Sequence, residues 1–432
     1  RTALGGHLPA RRTKGDSLDI PALTIFERLL QETGEREIST TQALVQAMTL
    51  LCKDKNIGQR VVPIVPDEAR TFGMEGMFRQ IGIYAHEGQK YEPVDRDQLM
   101  YYKENQSGQL LEEGITEDGA MSSWIASATA YSNSGMQMIP FYIFYSMFGF
   151  QRIGDLVWAA GDMQARGFLI GATSGRTTLN GEGLQHEDGH SQIMAGNVPN
   201  CVSYDPTFSH ELMVIMQNGM ERMFKKQENV FYYITTMNEN YSHPGLSKGQ
   251  EKNIVKGMYL LQKGKKGKTR VQLLGSGSIL REAIAAADLL SADFKVEADI
   301  WSCTSFNQLK RDGDDVSRWN MLHPDKKPKM SHVEKCLLDT DGPVVAATDY
   351  VKLFADQIRA YVPRSYSVLG TDGFGRSDSR QALRKHFEVD RYYIAVASLN
   401  ALMKDGSVSF KTVNGAIKKY GIDPNKNNPL MS

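Results

Sequence analysis

Hydrophobic residues recur along this chain in two alternating patterns. Short apolar runs, such as Val61–Val65 and Phe168–Ile170, alternate with stretches in which apolar residues return every three or four positions. The short runs predict buried strands, and the three-to-four spacing predicts helices with one apolar face. Apolar strands that alternate with amphipathic helices indicate an α/β fold, with mostly parallel sheets covered by helices on both faces.

The first half of the chain repeats this unit several times. Its predicted strands are Val61–Val65, Gln109–Ile115, Met138–Tyr145, Phe168–Ile170, Cys201–Ser203 and Val230–Thr235. Its predicted helices cover residues 44–51, 121–128, 153–160 and 209–224, and helix-capping residues at 39–41 precede the first of them.

A polar stretch rich in Gly and Lys, from Ser242 to Lys268, separates this half from a second α/β unit. The second unit has predicted strands at 271–274, 296–301, 344–347 and 367–369, and predicted helices at 279–290, 393–403 and 413–420. We therefore predict an extended arm or linker over residues 1–40 and two α/β domains, at 41–245 and 246–432.

Composition and charge remove several classes of function. The chain has 50 basic and 50 acidic residues, so its formal net charge is zero, and nothing electrostatic predicts a nucleic-acid or membrane partner. Cys52, Cys201, Cys303 and Cys336 lie far apart without CxxC spacing, which favours reduced thiols in a cytoplasmic protein. The chain begins with Arg1, as expected for a fragment or a processed chain.

Acidic residues follow several of the predicted strands. Asp67 and Glu68 come after the first strand, and Glu117 comes after the second. Ligands of open α/β sheets bind outside the carboxyl ends of the strands, so these acids are candidate site residues. A Glu at a helix start also has a purely structural explanation, because it interacts favourably with the helix dipole.

The longest polar loop, residues 175–190, contains two histidines, three acids and four glycines. Loops of this length inside a compact domain are often functional. His186, Glu187 and His190 match the HExxH pattern of zinc hydrolases, which gives a zinc metallohydrolase as an alternative function. That chemistry requires a helix, and the glycines of this loop oppose one.

Several longer motifs resemble one family, the homodimeric bacterial type of pyruvate dehydrogenase decarboxylating component, and the similarity runs along nearly the whole chain. The motifs are Pro66–Gly76 (PDEARTFGMEG), Leu111–Glu117 (LEEGITE), Tyr145–Arg152 (YSMFGFQR), the loop Arg176–His190, and Gly370–Asp378 (GTDGFGRSD).

The resemblance implies a pyrimidine-binding domain followed by a transketolase C-terminal-like domain, with thiamine diphosphate as cofactor. In this family the diphosphate and Mg²⁺ are bound by a GDG motif with an asparagine about thirty residues later. That motif is absent from this sequence, where Gly161-Asp162-Met163 lacks the second glycine. The chain thus resembles the carboxy-terminal half of such an enzyme, and the metal ligands are expected in the amino-terminal half.

The resemblance also implies roles for individual residues. Glu117 would bond the pyrimidine ring of the cofactor and favour its reactive tautomer. Phe148, Tyr145, Asp67 and Arg152 complete the implied cofactor-binding set. His186, Tyr145, Glu68 and Glu182 are the implied catalytic residues beside Glu117, with His186 and Tyr145 facing the substrate. Glu68 and Glu182 could instead serve hydrogen-bond networks between subunits.

The implied reaction is oxidative decarboxylation of pyruvate and reductive acetylation of a lipoyl group. The expected partners are pyruvate, the lipoyl domain of dihydrolipoyl acetyltransferase and a second copy of the chain. A transketolase-like sugar transferase would share the fold and Glu117. An inactive interaction fragment is the non-enzymatic alternative.

Overall fold

The computed structural model describes residues 13–66 and 68–432. Asp67 and the first twelve residues of the predicted arm lie outside the described residues. The remainder of the arm is not simply extended, because it forms a 3₁₀ turn at Leu23–Phe26 and a helical turn at Glu27–Leu30. The expectation of an extended arm is wrong there, since Phe26 and Leu29 are buried and anchor this segment.

Strands alternate with helices through the first half of the described chain. The strands are β1 (Val61–Val65), β2 (Ile83–Tyr84), β3 (Glu104–Asn105), β4 (Leu111–Glu112), β5 (Ile139–Phe144), β6 (Phe168–Gly171), β7 (Cys201–Tyr204) and β8 (Phe231–Thr235). The helices are α1 (Glu27–Leu30), α2 (Thr40–Cys52), α3 (Glu75–Gln80), α4 (Glu117–Ala128), α5 (Ala130–Asn133), α6 (Ser146–Asp162), α7 (Ser191–Asn197) and α8 (Ser209–Met220), which a π-helical turn at Glu221–Lys225 extends.

The second half follows the same principle. Its strands are β9 (Tyr259–Gln262), β10 (Arg270–Gly275), β11 (Glu297–Ser302), β12 (Val344–Ala347) and β13 (Tyr366–Leu369). Its helices are α9 (Glu251–Lys256), α10 (Ile279–Phe294), α11 (Phe306–Leu322), α12 (His332–Leu337), α13 (Lys352–Asp356), α14 (Arg380–His386), α15 (Arg391–Lys404) and α16 (Phe410–Lys419).

Two principal sheets result, and both are mostly parallel, as predicted. The first has the strand order β4-β1-β5-β6-β8-β7, with parallel pairs such as Val61 with Ile139 and Phe141 with Phe168. The second has the order β13-β12-β10-β11-β9, in which β9 alone is recorded as antiparallel to its neighbour. A small pair, β2 and β3, completes the described strands.

The sequence did not predict β2, β3 or β9. Strand β9 lies within the polar stretch that was assigned to a linker, and its outer residues remain partly exposed. An edge strand with one neighbour needs little apolar surface, so its hydrophobic pattern is weak. The predicted strand at Gln109–Ile115 is confirmed only as the two residues of β4.

Contact density divides the chain into two compact units. The first contains residues up to 173 with 194–202 and 212–246, and the second contains 174–193, 203–211 and 247–432. Two short segments that the sequence assigned to the first domain therefore belong to the second unit. The predicted boundary near residue 245 stays a prediction.

No helix in the described part of the chain is both long enough and apolar enough to cross a membrane.

Candidate functional site

The carboxyl edge of the first sheet brings several predicted site residues together. Strand β1 pairs in parallel with both β4 and β5, so the chain leaves all three strands at one edge. Glu68 follows β1, Glu117 follows β4, and Tyr145 follows β5 directly. Because parallel strands end at the same edge, this is the position where an α/β sheet binds its ligand.

Glu117 occupies the first turn of α4. The helix is capped by Thr116, whose side chain accepts a hydrogen bond from the Gly119 N–H at 3.2 Å. The Glu117 side chain is only 12% exposed, and its Oε1 accepts a hydrogen bond from Arg152 Nη1 at 2.6 Å. A carboxylate at a helix start is favoured by the dipole, and the arginine supplies a full counter-charge.

Helix α6 presents an aromatic face beside this carboxylate. Tyr145, Phe148 and Arg152 are spaced at three and four residues, so they share one side of the helix. The Arg152 guanidinium carbon lies 4.0 Å from the centroid of the Phe148 ring, and the Phe148 and Tyr145 rings meet edge-on at 5.8 Å. Phe72 packs edge-on against Tyr145 at 5.6 Å. We call Glu117, Arg152, Phe148, Tyr145 and Phe72 the Glu117 cluster.

Gly149 sets how closely α6 approaches the sheet. A Cβ atom at this position would lie 2.1 Å from Phe144 Cε2, which is far inside van der Waals contact. Only glycine allows the first turn of α6 to rest on the ring of Phe144. Ser146 fixes the same turn by donating a hydrogen bond to the carbonyl of Thr173 at 3.2 Å.

Tyr142 contacts the backbone of Glu117 through a hydrogen bond. This strand residue is fully buried, and its hydroxyl donates a hydrogen bond to the Glu117 carbonyl at 3.3 Å. Burial, with smaller contributions from the charges of Glu117 and Asp118, raises the pKa of Tyr142 well above its usual value. The phenol therefore remains a proton donor at any physiological pH.

The second unit contains the polar loop that carries His186 and Glu182. His186 ends a 3₁₀ turn, Leu184–His186, and its Nδ1 lies 3.1 Å from Glu182 Oε2. The two side chains are 20% and 39% exposed, so both are within reach of solvent or a small ligand. The structure thus brings together the two site residues that the sequence predicted in this loop.

Asp349, which the sequence did not predict, anchors the start of this loop. It follows β12 and is fully buried. Its Oδ1 accepts hydrogen bonds from the Thr177 backbone N–H at 2.9 Å and the Thr177 hydroxyl at 2.6 Å, and its Oδ2 accepts from the Thr178 hydroxyl at 2.5 Å. An acid after a predicted strand was the available signal, the same one that identified Glu117.

Arg176 anchors the loop a second time. Its Nη1 donates to the carbonyl of Thr371 at 2.7 Å and also to that of Gly373, and its Nε donates to the carbonyl of Glu187 at 3.4 Å. Burial lowers the pKa of Arg176 from its very high usual value, and the nearby carboxylates of Asp188 and Asp349 oppose that shift. This network keeps much of residues 174–190, which we call the 174–190 segment, away from solvent.

The zinc-hydrolase alternative finds no support in this geometry. His186 and His190 lie on either side of an irregular stretch, and α7 begins only at Ser191, so they do not share one helix face. Among the described residues, no group of three or more His, Cys, Asp or Glu side chains is arranged to hold a metal ion.

The predicted site residues therefore form two groups, each within its own unit. Glu117, Arg152, Phe148 and Tyr145 form one group, with Glu68 at the same sheet edge, and His186 and Glu182 form the other. Asp67 lies outside the described residues. Phe72 was missed as a site residue, although it lies within the PDEARTFGMEG motif.

Comparison with solved structures defines the class of protein. A transketolase from Leishmania mexicana superposes with a TM-score of 0.64 at 15% identity, over 89% of this chain and 48% of that one. A transketolase from Campylobacter jejuni gives a TM-score of 0.61 at 16% identity, over 87% and 49%. The chain has a transketolase-like α/β fold.

Comparison of sequences then gives the family. Residues 18–244 match the model described as the pyruvate dehydrogenase E1 component middle domain, and residues 257–390 match the transketolase-like C-terminal domain. The pyruvate dehydrogenase E1 component of Cupriavidus necator is 62% identical over the whole chain, and that of Pseudomonas aeruginosa is 61% identical. The chain belongs to the pyruvate dehydrogenase E1 component family.

The match covers only part of each relative. The chain spans 48% of the Cupriavidus protein and 49% of the Pseudomonas protein, which is about half of their length.

Proposed function

We propose that this chain supplies the Glu117-bearing half of a thiamine-diphosphate-dependent 2-oxoacid dehydrogenase. The reaction is the oxidative decarboxylation of pyruvate with reductive acetylation of a lipoyl group. The observation that carries the proposal is the Glu117 cluster, a largely buried carboxylate beside an aromatic helix face at the carboxyl edge of a parallel sheet.

The residues of the Glu117 cluster suit an aminopyrimidine ring. A flat heteroaromatic ring needs an apolar or aromatic surface for its face and a carboxyl group for its ring nitrogen. Phe148, Tyr145 and Phe72 supply the first, and Glu117 supplies the second. When bound, thiamine diphosphate supplies a nucleophilic carbon and an electron sink that the side chains lack.

The proposed role of Glu117 concerns the position of a proton on the pyrimidine ring of the cofactor. When the cofactor is bound, the Glu117 carboxyl would hydrogen-bond the ring nitrogen and favour one tautomer of the pyrimidine. Arg152 balances the charge of Glu117 before a ligand arrives, with Nη1 2.6 Å from Oε1. Because Arg152 is half exposed, it can move away and leave the carboxyl available.

We propose roles toward the substrate for four residues: His186, Tyr145, Glu68 and Glu182. An imidazole and a phenol hydroxyl can donate hydrogen bonds to the carboxylate of pyruvate or to a developing oxyanion. Glu182 Oε2 lies 3.1 Å from His186 Nδ1, so the carboxylate and the imidazole are neighbours in this loop.

The cofactor's diphosphate and Mg²⁺ are proposed to be bound by residues outside this sequence, which contains no GDG motif with its later asparagine. We propose the lipoyl domain of dihydrolipoyl acetyltransferase and a second copy of the chain as partners, in the cytoplasm. The free state of all four cysteines agrees with a reducing compartment.

Glu117→Gln in the full-length protein tests this function. Glutamine has the same shape but cannot exchange the proton, so pyruvate turnover should fall by about 10²-fold or more while the fold is retained. Asp118→Asn is the matched control, because Asp118 is the exposed neighbour on the same helix turn and should keep near-normal activity. Normal turnover by Glu117→Gln would remove Glu117 from its role, and preferred turnover of a ketose phosphate would favour the sugar transferase.

A further inference from the structure

Two glutamates of the second unit are both completely buried but have opposite surroundings. Glu211 Oε2 accepts hydrogen bonds from the backbone N–H groups of Thr207 and Phe208 at 2.7 and 3.0 Å. Its Oε1 accepts from the Tyr259 hydroxyl at 2.7 Å and from Ser302 Oγ at 2.6 Å. The two oxygens of this buried side chain therefore receive four hydrogen bonds between them, so neither lacks a partner.

Glu187 has the same burial and none of these donors. Neither of its carboxyl oxygens receives a hydrogen bond from any part of the chain that the structure describes. Gly375 closes over it so tightly that a Cβ atom there would lie 2.4 Å from Glu187 Cβ. A buried ionised carboxylate without donors is strongly unfavourable, whereas the neutral acid loses far less on leaving water.

On balance, the charged groups around Glu187 also favour the neutral carboxylic acid. Asp349, at the end of β12, and Glu182, in the same loop, both disfavour a second negative charge. Arg176 favours that charge, but its guanidinium already donates to three carbonyls, and its charge is shared with Asp188, Asp349 and Asp372. The positive charge of Arg384 favours the charged form of Asp349.

Glu187 is connected to His186 through the main chain. Its N–H donates to the carbonyl of Leu184 at 3.3 Å and closes the turn that His186 ends, and its carbonyl accepts from Arg176. The backbone of Glu187 is therefore part of the turn that His186 ends, and the side chain leaves that backbone directly into its buried position.

We propose that Glu187 is a positioning residue, a buried neutral carboxylic acid whose proton keeps the His186 turn in place. The link to catalysis rests on the proposed function, through His186. The buried acid itself does not depend on that function and can be tested separately.

The direction of the pH effect follows from burial. Burial, reinforced by Asp349, raises the pKa of Glu187 from 4.5 to about 9 despite the opposing charge of Arg176. The loop with Glu187 buried is therefore fully stable at low pH. As pH rises above the pKa of an exposed Glu, the open loop ionises and the closed loop cannot follow. The ratio of closed to open loop then falls by about tenfold per pH unit until the buried carboxyl itself ionises.

Infrared difference spectroscopy of the full-length protein and its Glu187→Gln variant tests the neutral acid. At pH 7 the wild-type protein should show the carbonyl stretch of a protonated carboxylic acid that the variant lacks. Glu182→Gln is the control, because Glu182 lies in the same loop but is partly exposed, and it should keep that band. A wild-type spectrum without the band at pH 7 would overturn the proposal.

Hydrogen exchange of the peptide 176–190 tests the coupling to the loop without relying on a variant. In the wild-type protein, the opening constant of this peptide should rise about tenfold per pH unit between pH 6 and 8, relative to a peptide from α10. In Glu187→Gln that slope should disappear. A wild-type opening constant that does not change with pH would contradict the proposal.

Pyruvate kinetics test the positioning role. In the wild-type protein, kcat/KM should fall as pH rises and the loop opens, and in Glu187→Gln that decline should be absent. Glu117→Gln should instead lower turnover at every pH. If Glu187→Gln abolishes the infrared band and the exchange slope but leaves the pH profile unchanged, Glu187 does not position His186. If Glu117→Gln is fully active, the proposed function fails while the spectroscopic result for Glu187 stands.

Discussion

The Glu117 cluster and the 174–190 segment each accommodate a glutamate side chain with little access to water, but in different ways. Both place a glutamate in a poorly hydrated position next to predicted site residues. Glu117 lies at an edge where solvent and Arg152 reach its carboxyl, so its negative charge is compensated. Glu187 lies under Gly375 with no donor to its carboxyl among the described residues, so its environment favours the neutral form.

The difference shows that the residue type does not decide the state of a carboxyl group. One glutamate begins a helix at a strand–helix junction, where its carboxyl accepts a hydrogen bond from the guanidinium of Arg152. The other lies in irregular backbone, where the N–H groups of Thr177 and Ser191 are bonded to the carboxylates of Asp349 and Asp188. Hydrogen-bond supply and access to water are what separate them.

The largest effect should come from removing the anchor of the 174–190 segment. Asp349→Ala leaves the N–H and hydroxyl of Thr177 without their acceptor and removes one of the two partners of the Thr178 hydroxyl, which also contacts Ser278 Oγ. It should lower the free energy of unfolding of the second unit by about 3–5 kcal/mol. Urea denaturation followed by a probe in this unit measures it. Asp372→Asn, which alters a partly exposed ion pair with Lys352, is the control and should have little effect. A small loss in Asp349→Ala would mean that Arg176 alone holds the segment.

A moderate effect is expected from disturbing the helix that carries the aromatic face. Gly149→Ala places a methyl group against Phe144, so α6 must shift, at a cost of about 1–3 kcal/mol in unfolding free energy. Denaturation of the full-length protein gives the stability, and thiamine-diphosphate affinity reports whether Tyr145 and Phe148 have moved. Gly154→Ala, at a position in the same helix with nothing within 4 Å of a new Cβ, is the matched control.

The smallest effect on stability should come from the ion pair of the Glu117 cluster. Because Arg152 is half exposed, Arg152→Met should change the free energy of unfolding by at most about 1 kcal/mol. Cofactor affinity should change more than stability does, since the counter-charge of Glu117 is lost. A loss of stability comparable to that of Asp349→Ala would show that the two regions are not built differently.

Much of the architecture could be predicted from local patterns. Strands β1, β5 and β6 are continuous apolar runs, and such runs predict strands of parallel sheets that are buried on both faces. The short arm helix was missed because it depends on burial of Phe26 and Leu29, which is a tertiary property. Strand β9 was missed because an edge strand can remain polar.

The site could be predicted only in part. Glu117, Tyr145, Phe148 and Arg152 were identified through motifs, and the structure brings them together because β4 and β5 flank β1 in one parallel sheet. Phe72 and Asp349 were not selected. Asp349 follows a predicted strand, as Glu117 does, but the burial of both residues and their distances from other side chains are not encoded in sequence spacing. The contact of Asp349 with Thr177 spans 172 positions along the chain.

The sequence alone determined the alternation of strands and helices, the family resemblance and the identity of Glu117 as a candidate residue, because these depend on local periodicity and contiguous motifs. Only the tertiary structure decided the surroundings of each carboxyl group: Arg152 beside Glu117, four donors around Glu211 and none on Glu187 among the described residues. The electrostatic environment of a buried group is set by what packs against it in space, and those neighbours come from distant parts of the chain.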